Sequence, residues 1–280
     1  GEDFLKECMK PYEGFEHNDQ SLRILTVLER RYPRWNGLNL TWETLEGVVK
    51  HNGPVKGPLP VTLKEIASQV DLQINTHAGL EAQVAALSDD IAYNNHDVED
   101  GLRAGLFTLA DLEELELLRK VIRGVRKDHP DISEKILIHE MVRTMIGRMV
   151  VDVLNQTRTN LAELNPQSAD DVRHAGRQIV AFSEEMFEQV KELRSFLFKR
   201  MYRHYTINRI RLKVERIVTD MFGAFLKDYT LLPDAWQTRV EDAGGMIDNI
   251  ALARIVCDYI AGMTDGYAIK EYERMFGPMA

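Results

Sequence analysis

Cysteine is scarce in this chain. Two occur in 280 residues, Cys8 and Cys257, far apart and without metal-ligand spacing. That excludes a disulfide framework and fits free thiols in a reducing compartment. Long hydrophobic runs are missing too: no stretch of 18 apolar residues exists, so no transmembrane helix and no membrane partner are expected. No signal peptide precedes the first helical segment, and the expected location is cytoplasmic. Positive charge is in deficit, with 35 Lys and Arg against 44 Asp and Glu and a net charge of −9. That argues against a protein whose main business is coating nucleic acid, and no nucleic-acid partner is expected. Alternating strand patterns, internal repeats and low-complexity tracts are absent. What remains is 44% apolar residues, enough for a sizeable core, and 28% charged residues for solubility.

Helical periods dominate, which makes the fold class all-α. Leu22, Leu25 and Leu28 repeat within residues 19–31, and Pro33 lies beyond that run. Thr41 is placed to cap a helix over 41–50. Residues 51–60 hold three prolines and two glycines and read as a loop, after which Thr62 with Glu65 predicts a capping box. Residues 133–155 are apolar almost all round, with one polar stripe of Glu140, Arg143, Thr144, Gly147, Arg148 and Asp152, the pattern of a buried helix with one wet edge. Breaks are expected at 128–131, 164–171 and 231–234. Helices are expected over about 172–205, 207–227 and 246–274, some of them split.

One short motif is a decoy. His139 and Glu140 resemble the first half of a helical zinc-protease motif, but Arg143 stands where the second His is needed. The more informative segment is residues 81–100. It reads as one helix and carries Asp89, Tyr93 and Asp97 at i, i+4 and i+8, a spacing that drifts about 40° per step and keeps all three on one face. A carboxylate there is a competent ligand for Mg²⁺, Mn²⁺ or a harder transition ion. A lone Asp does not build a metal site, so further ligands must come from elsewhere. A second helical triplet, Arg194, Phe198 and Tyr202, has the same spacing, and its Arg suits bidentate phosphate recognition.

Residues 81–100 closely resemble the final metal-ligand segment of the HD-domain deoxynucleoside triphosphate triphosphohydrolases, in their bacterial dGTPase-like branch. FEHNDQSLRIL at 15–25, GLNLTWETLEGVVKHNGP at 37–54, LRSFLFKRMYRH at 193–204 and CDYIAGMTD at 257–265 resemble segments of the same family in the same order. The resemblance implies an HD-domain-type helical bundle with a C-terminal helical extension. Residues 1–130 are then the C-terminal part of the HD-type catalytic core. Residues 131–280 complete the substrate pocket and supply oligomer contacts, and the whole is expected to form one compact unit.

The resemblance also implies a site: a single divalent metal, Mg²⁺ or Mn²⁺ or another transition ion, held by a His, a His-Asp pair and a distant Asp. Asp89 matches that distant Asp, with Asp90 as the adjacent alternative. Tyr93 is expected to pack near sugar and phosphates, and Asp97 to bond the sugar 3′-hydroxyl. Arg194 and Tyr202 match a substrate-binding Arg and Tyr. Lys50 is a weaker phosphate candidate, with a plain surface Lys as the alternative. Asp258, Tyr259 and Asp265 either shape the base pocket or tie helices together.

The family's motif closes His-x-Gly-Glu, and this chain begins at Gly1-Glu2, so Glu2 matches the catalytic carboxylate. The first His and the His-Asp pair are expected upstream of Gly1, and residues 1–280 alone are expected to be inactive. His17 falls where related enzymes place another active-site His; the alternative is a part-buried His bonding backbone. The activity implied is hydrolysis of a dNTP to deoxynucleoside and tripolyphosphate by an enzyme expected to be a homo-oligomer. Two other readings stay open: an inactive nucleotide-binding or regulatory helical scaffold, and another HD-type nucleotide phosphohydrolase.

Overall fold

The computed structural model describes residues 1–245 and 248–277. Among them run fourteen α-helices and no strand: α1 (Glu2–Met9), α2 (His17–Arg23), α3 (Trp42–Val49), α4 (Val61–Ala67), α5 (Leu80–Arg103), α6 (Leu109–Leu112), α7 (Glu116–Asp128), α8 (Glu134–Leu164), α9 (Ala169–Arg173), α10 (Glu184–Leu197), α11 (Tyr205–Lys227), α12 (Asp234–Asp242), α13 (Asn249–Ala261) and α14 (Asp265–Phe276). The all-α expectation holds. Contacts group the chain into two interleaved units, one of residues 1–41, 57–72 and 209–280, the other of residues 42–56 and 73–208.

The first unit closes around α13, whose Leu252, Ala253, Val256 and Cys257 are fully buried. From α11 it receives Val218, Met221, Phe222 and Phe225, an i, i+3, i+4, i+7 stripe that puts one helix face into the core. Leu5 and Met9 of α1 pack into the same cluster. Each such side chain contributes about 1.5–3 kcal/mol on leaving water. Burial pushes the Cys257 thiol up to about 12, so it is a neutral core residue.

Helix α4 starts differently from its sequence pattern. Pro60 stands at the N-cap position and Thr62 lies inside the helix, so no Thr62–Glu65 capping box forms. The buried carboxylate of Asp19, on α2, accepts the backbone N–H groups of Thr62 at 3.2 Å and Leu63 at 2.9 Å instead. A helix start leaves four N–H groups without intrahelical partners, and a carboxylate also matches the positive end of the dipole.

The second unit is built on α5, α7, α8 and α10. Helix α7 buries Leu117, Leu118, Val121, Ile122 and Val125 while its Arg and Lys residues point outward. Helix α8 buries Leu137, Met141, Met145 and Met149, one residue per turn. The expectation of a helix buried nearly all round is corrected here: Ile136 and Val151 are 57% and 56% exposed, and Val150 and Leu154 are exposed too. One stripe of α8 faces α5 and α7. Against α5, the Phe107 ring packs so closely over Gly101 that a Cβ there would lie 2.2 Å from it. Only glycine permits that approach.

The helix expected over 172–205 is split. α9 ends at Arg173, an irregular stretch follows, and α10 restarts behind Ser183, whose hydroxyl accepts from Met186 N–H. Ser183 is itself fixed by the Asp152 carboxylate, which accepts its N–H at 2.8 Å and its hydroxyl at 2.6 Å. After Leu197 the chain widens into a π-helical turn, Phe198–Tyr202. A π-turn shifts the register of the side chains it carries, and such turns recur at functional sites. The stretch expected over 246–274 is also two helices, α13 and α14, the second capped by Thr264. Its first two residues, 246 and 247, lie outside the described residues.

Candidate functional site

Helix α5 presents its inner side, with Ile91, Asn95 and Val98, to the core. Asn95 donates to the Ile91 carbonyl and lies 3.2 Å from the Met149 sulfur, which fixes the helix rotation against α8. That rotation leaves Asp89 and Tyr93 on the outer side, the Asp89 side chain 75% exposed and Tyr93 59% exposed. Within ion-pair distance of Asp89 lies His51, with Nε2 3.9 Å from Oδ2.

The adjacent carboxylate points elsewhere. Asp90 Oδ1 takes Arg194 Nη2 at 3.0 Å, and Arg194 Nε donates to Asn94 Oδ1 at 3.3 Å. Arg194 on α10 is thus clamped to α5 by two residues one turn apart. Of the two candidate carboxylates, Asp90 is already occupied by a guanidinium and Asp89 is the more open.

Eight residues along α10 from Arg194, the π-turn delivers Tyr202. Its hydroxyl donates to the Asp97 carboxylate, and the Tyr93 hydroxyl lies within hydrogen-bonding reach of it. Burial, then the bonds to Asp97 and Tyr93, hold the Tyr202 phenol protonated far above its ordinary range. Burial pushes the Asp97 carboxyl up, opposed by the Tyr202 bond. In the second unit, Tyr93, Asp97 and Tyr202 therefore form one cluster, with Asp89 about two turns back along α5 and Arg194 of α10 held between them at Asp90 and Asn94.

In the first unit, α1 and α2 bring two further candidates together. His17 Nδ1 lies 2.8 Å from Glu2 Oε1 and 3.1 Å from Glu16 Oε1, with the His17 and Glu2 side chains half exposed. Glu16 also caps α2 by accepting Asp19 N–H at 2.9 Å. The ligand atoms of Glu2, Glu16 and His17 all lie within 4.8 Å of one another, and among the described residues no such group of three includes Asp89. Asp89 therefore fits a divalent ion as one oxygen ligand, not as a complete site. The His139 motif is inert in this respect: Glu140 pairs with Arg143 at 2.8 Å, and His139 lies 3.4 Å from Glu99.

Lys50 has a role that neither sequence alternative foresaw, and the C-terminal motif takes the helix-tying one of its two alternatives. Lys50 is neither a phosphate contact nor a surface residue. Its side chain is fully buried, with Nζ 2.8 Å from Glu46 and from Thr76 and 3.3 Å from the His77 carbonyl. Glu46 also takes Arg173 Nε at 2.9 Å. In the C-terminal motif, buried Asp258 accepts from Arg23 Nε at 2.9 Å and from Gln20 at 3.0 Å, tying α13 to α2. Tyr259 and Tyr267 hydroxyls lie 3.2 Å apart, joining α13 to α14, and Asp265 opens α14. His51, which the sequence reading placed in a Pro/Gly loop without a role, lines a cavity of about 530 Å³ in the second unit together with Asp90, Lys191 and Arg194.

Residues 180–274 match the family model described as a phosphohydrolase-associated domain. An all-α scaffold with that match has the character of a helical phosphohydrolase. The chain is 51% identical over 282 residues to the deoxyguanosinetriphosphate triphosphohydrolase-like protein of Parvibaculum lavamentivorans, covering 99% of this chain and 70% of that protein. Identity is 50% to the protein of the same name from a Caulobacter species and 49% to that from a Jannaschia species, with 99% of this chain and 70% and 69% of those proteins covered. This chain belongs to the family of deoxyguanosinetriphosphate triphosphohydrolase-like proteins.

Proposed function

We propose that the protein hydrolyses deoxynucleoside triphosphates, dGTP among them, to deoxynucleoside and tripolyphosphate in a metal-dependent reaction. The observation that carries this reading is the row on α5. Asp97 with Tyr202 and Tyr93 lies at one end, and Asp89 with the Asp90–Arg194 clamp lies about two turns away. At 1.5 Å per residue the eight steps from Asp97 to Asp89 span about 12 Å, the scale of a sugar joined to its phosphates.

In this reading the Asp97 carboxylate accepts the 3′-hydroxyl of the sugar, and the Tyr202 and Tyr93 rings pack on its face. The protonated Tyr202 hydroxyl holds Asp97 in place while a substrate hydroxyl takes the second carboxylate oxygen. Arg194, preset by Asp90 and Asn94, offsets phosphate charge. Asp89 contributes one carboxylate to the metal, which when bound polarises a phosphate oxygen and lowers the pKa of its water. Water adds to the α-phosphorus, the bond from that phosphorus to the sugar 5′-oxygen breaks, and the oxygen leaves with a proton. Glu2 and His17, 2.8 Å apart in the first unit, are an acid–base pair by residue type. The enzyme works as a homo-oligomer.

The test uses the protein at its natural length with each dNTP and Mg²⁺ or Mn²⁺, and resolves the products by ³¹P NMR. Tripolyphosphate is expected. Pyrophosphate or single phosphate in its place sinks the mechanism, and no turnover with any dNTP favours the regulatory scaffold.

A further inference from the structure

Helix α2 is seven residues long, too short to hold its place by its own hydrogen bonds. Its one apolar side chain, Leu22, is buried, and so are the polar Asp19 and Gln20. Polar ties to neighbours therefore set its position. They run to α4 through Asp19 and to α13 through Gln20 and Arg23. His17 is the first residue of α2 and goes where the helix is held.

On α13 these ties end at one carboxylate. Asp258, 3% exposed, accepts Arg23 Nε at 2.9 Å, lies 2.9 Å from Arg23 Nη2 and accepts Gln20 Nε2 at 3.0 Å. A carboxylate facing two nitrogens of a guanidinium fixes orientation as well as distance. One turn earlier on the same face of α13, Arg254 donates from Nη2 to the Gly14 carbonyl at 2.8 Å. Gly14 closes the corner between α1 and α2, where Glu13 and Gly14 take φ of 68° and 80°. Arg254 thus grips the chain just before His17, and Asp258 grips it just after. The same helix supports the other partner. Leu5 and Met9 of α1 pack with Leu252 and Val256 in one buried cluster, and Glu2 opens α1. Both sides of the 2.8 Å approach of His17 Nδ1 to Glu2 Oε1 therefore rest on α13, the Glu2 side by apolar packing and the His17 side by polar ties.

We propose that Asp258 and Arg254 are positioning residues, which set the separation and orientation of His17 relative to Glu2 for the chemical step. The proposal rests on the reading of Glu2 and His17 as an acid–base pair in the proposed reaction. A group that moves a proton must stay within hydrogen-bonding reach of its partner, and a drift of about 1 Å suffices to lower turnover about a hundredfold. Asp258 and Arg254 act through His17 and not on the substrate, so the loss falls on kcat and leaves KM in place.

Asp258→Asn and Arg254→Met, both close in size to the native side chains, test this separately in the protein at its natural length. Hydrogen exchange over residues 15–25, read by mass spectrometry, is expected to quicken about tenfold in Asp258→Asn, as loss of one charge-assisted hydrogen bond does, with α7 unchanged. In steady-state dNTP assays both variants are expected to lose about a hundredfold in kcat, with KM within about twofold of the wild type. In a His17→Ala background no imidazole is left to position. There Asp258→Asn should lower the remaining single-turnover rate by less than about twofold. Equal losses with and without His17, or a fall in kcat matched by a rise in KM, would make Asp258 a general structural residue and overturn the proposal. Unchanged exchange over 15–25 overturns it as well, because Asp258 then does not hold α2. Normal kcat in both variants beside an active wild type also overturns it and leaves the proposed function standing. A wild type that turns over no dNTP removes the acid–base reading and the positioning role with it; quickened exchange would then identify Asp258 as a tether of α2 alone.

Discussion

Two polar assemblies in the second unit differ in almost every physical respect. The outer row of α5 (Asp89, Tyr93 and the clamp of Asp90 on Arg194) is open to water and joined by few bonds. The Glu46–Lys50–Arg173 network lies in the interior, with Glu46 1% and Lys50 2% exposed, and every charge has a partner. Charges left in water need no partner and so stay free to meet a ligand. Charges taken out of water are tolerated only when paired and hydrogen-bonded. The interior network joins α3, the loop at 76–77 and α9, and that loop and the one after α3 form cavity walls. In the proposed reaction the outer row meets the substrate, while the inner network ties α3, the loop at 76–77 and α9 together.

Substitutions should separate these two roles, and the largest expected effect falls on the outer row. Asp89→Ala is expected to lower dNTP turnover by about a thousandfold or more, the scale on which catalysis loses a metal. Its helical circular dichroism and urea midpoint should match the wild type. A large loss of stability would mean that the outer row is structural after all.

Glu46→Ala should behave in the opposite way. It removes the carboxylate shared by Lys50 and Arg173, of which Arg173 keeps Asp170, and removal of one partner from such a buried pair costs about 3–5 kcal/mol. Urea unfolding reads this directly. A variant of near-native stability would show that water reaches the network. In the first unit, Asp19→Ala removes the carboxylate that caps α4 across a tertiary contact, and about 1–2 kcal/mol of stability should be lost.

The smallest effect is expected at Asp97, where the two roles meet. Its carboxyl is pushed up in the folded state, chiefly by burial, so the folded protein binds the proton more tightly than the unfolded chain. That ionisation therefore costs stability as pH rises through the folded-state pKa, and the cost disappears below the ordinary carboxylate range. Asp97→Asn should melt slightly above the wild type at pH 7, with the gap closing towards about pH 4. Discrimination between a dNTP and its 3′-deoxy analogue should collapse in the same variant. Retained discrimination would move the sugar away from Asp97.

Local periodicity carried much of this into the sequence. Helical spacing put Asp89, Tyr93 and Asp97 on one face, and the breaks at 128–131 and 164–171 fall where α7 and α8 end. Both are determined by neighbours a few residues away, through 3.6-residue repetition and the backbone limits of Pro, Gly and Asn. The approach of His17 to Glu2 was accessible only through the family resemblance, since fifteen residues and a turn separate them.

What the tertiary structure alone decided concerns partners from distant segments. Thr62 and Glu65 have the letters of a capping box, yet Asp19 takes that work, because Pro60 already occupies the cap position. Lys50 stands beside a Pro/Gly loop in a polar stretch, and nothing local marks it as buried. Its burial depends on Glu46 one turn away and on Thr76, twenty-six residues further along the chain. α8 has enough apolar residues to be buried all round, and packing in the shared core selects the stripe Leu137, Met141, Met145 and Met149. By itself the sequence determined which residues share a helix face and which segments break. Burial, capping and charge pairing are free-energy balances over whole neighbourhoods, and those exist only once the chain has folded.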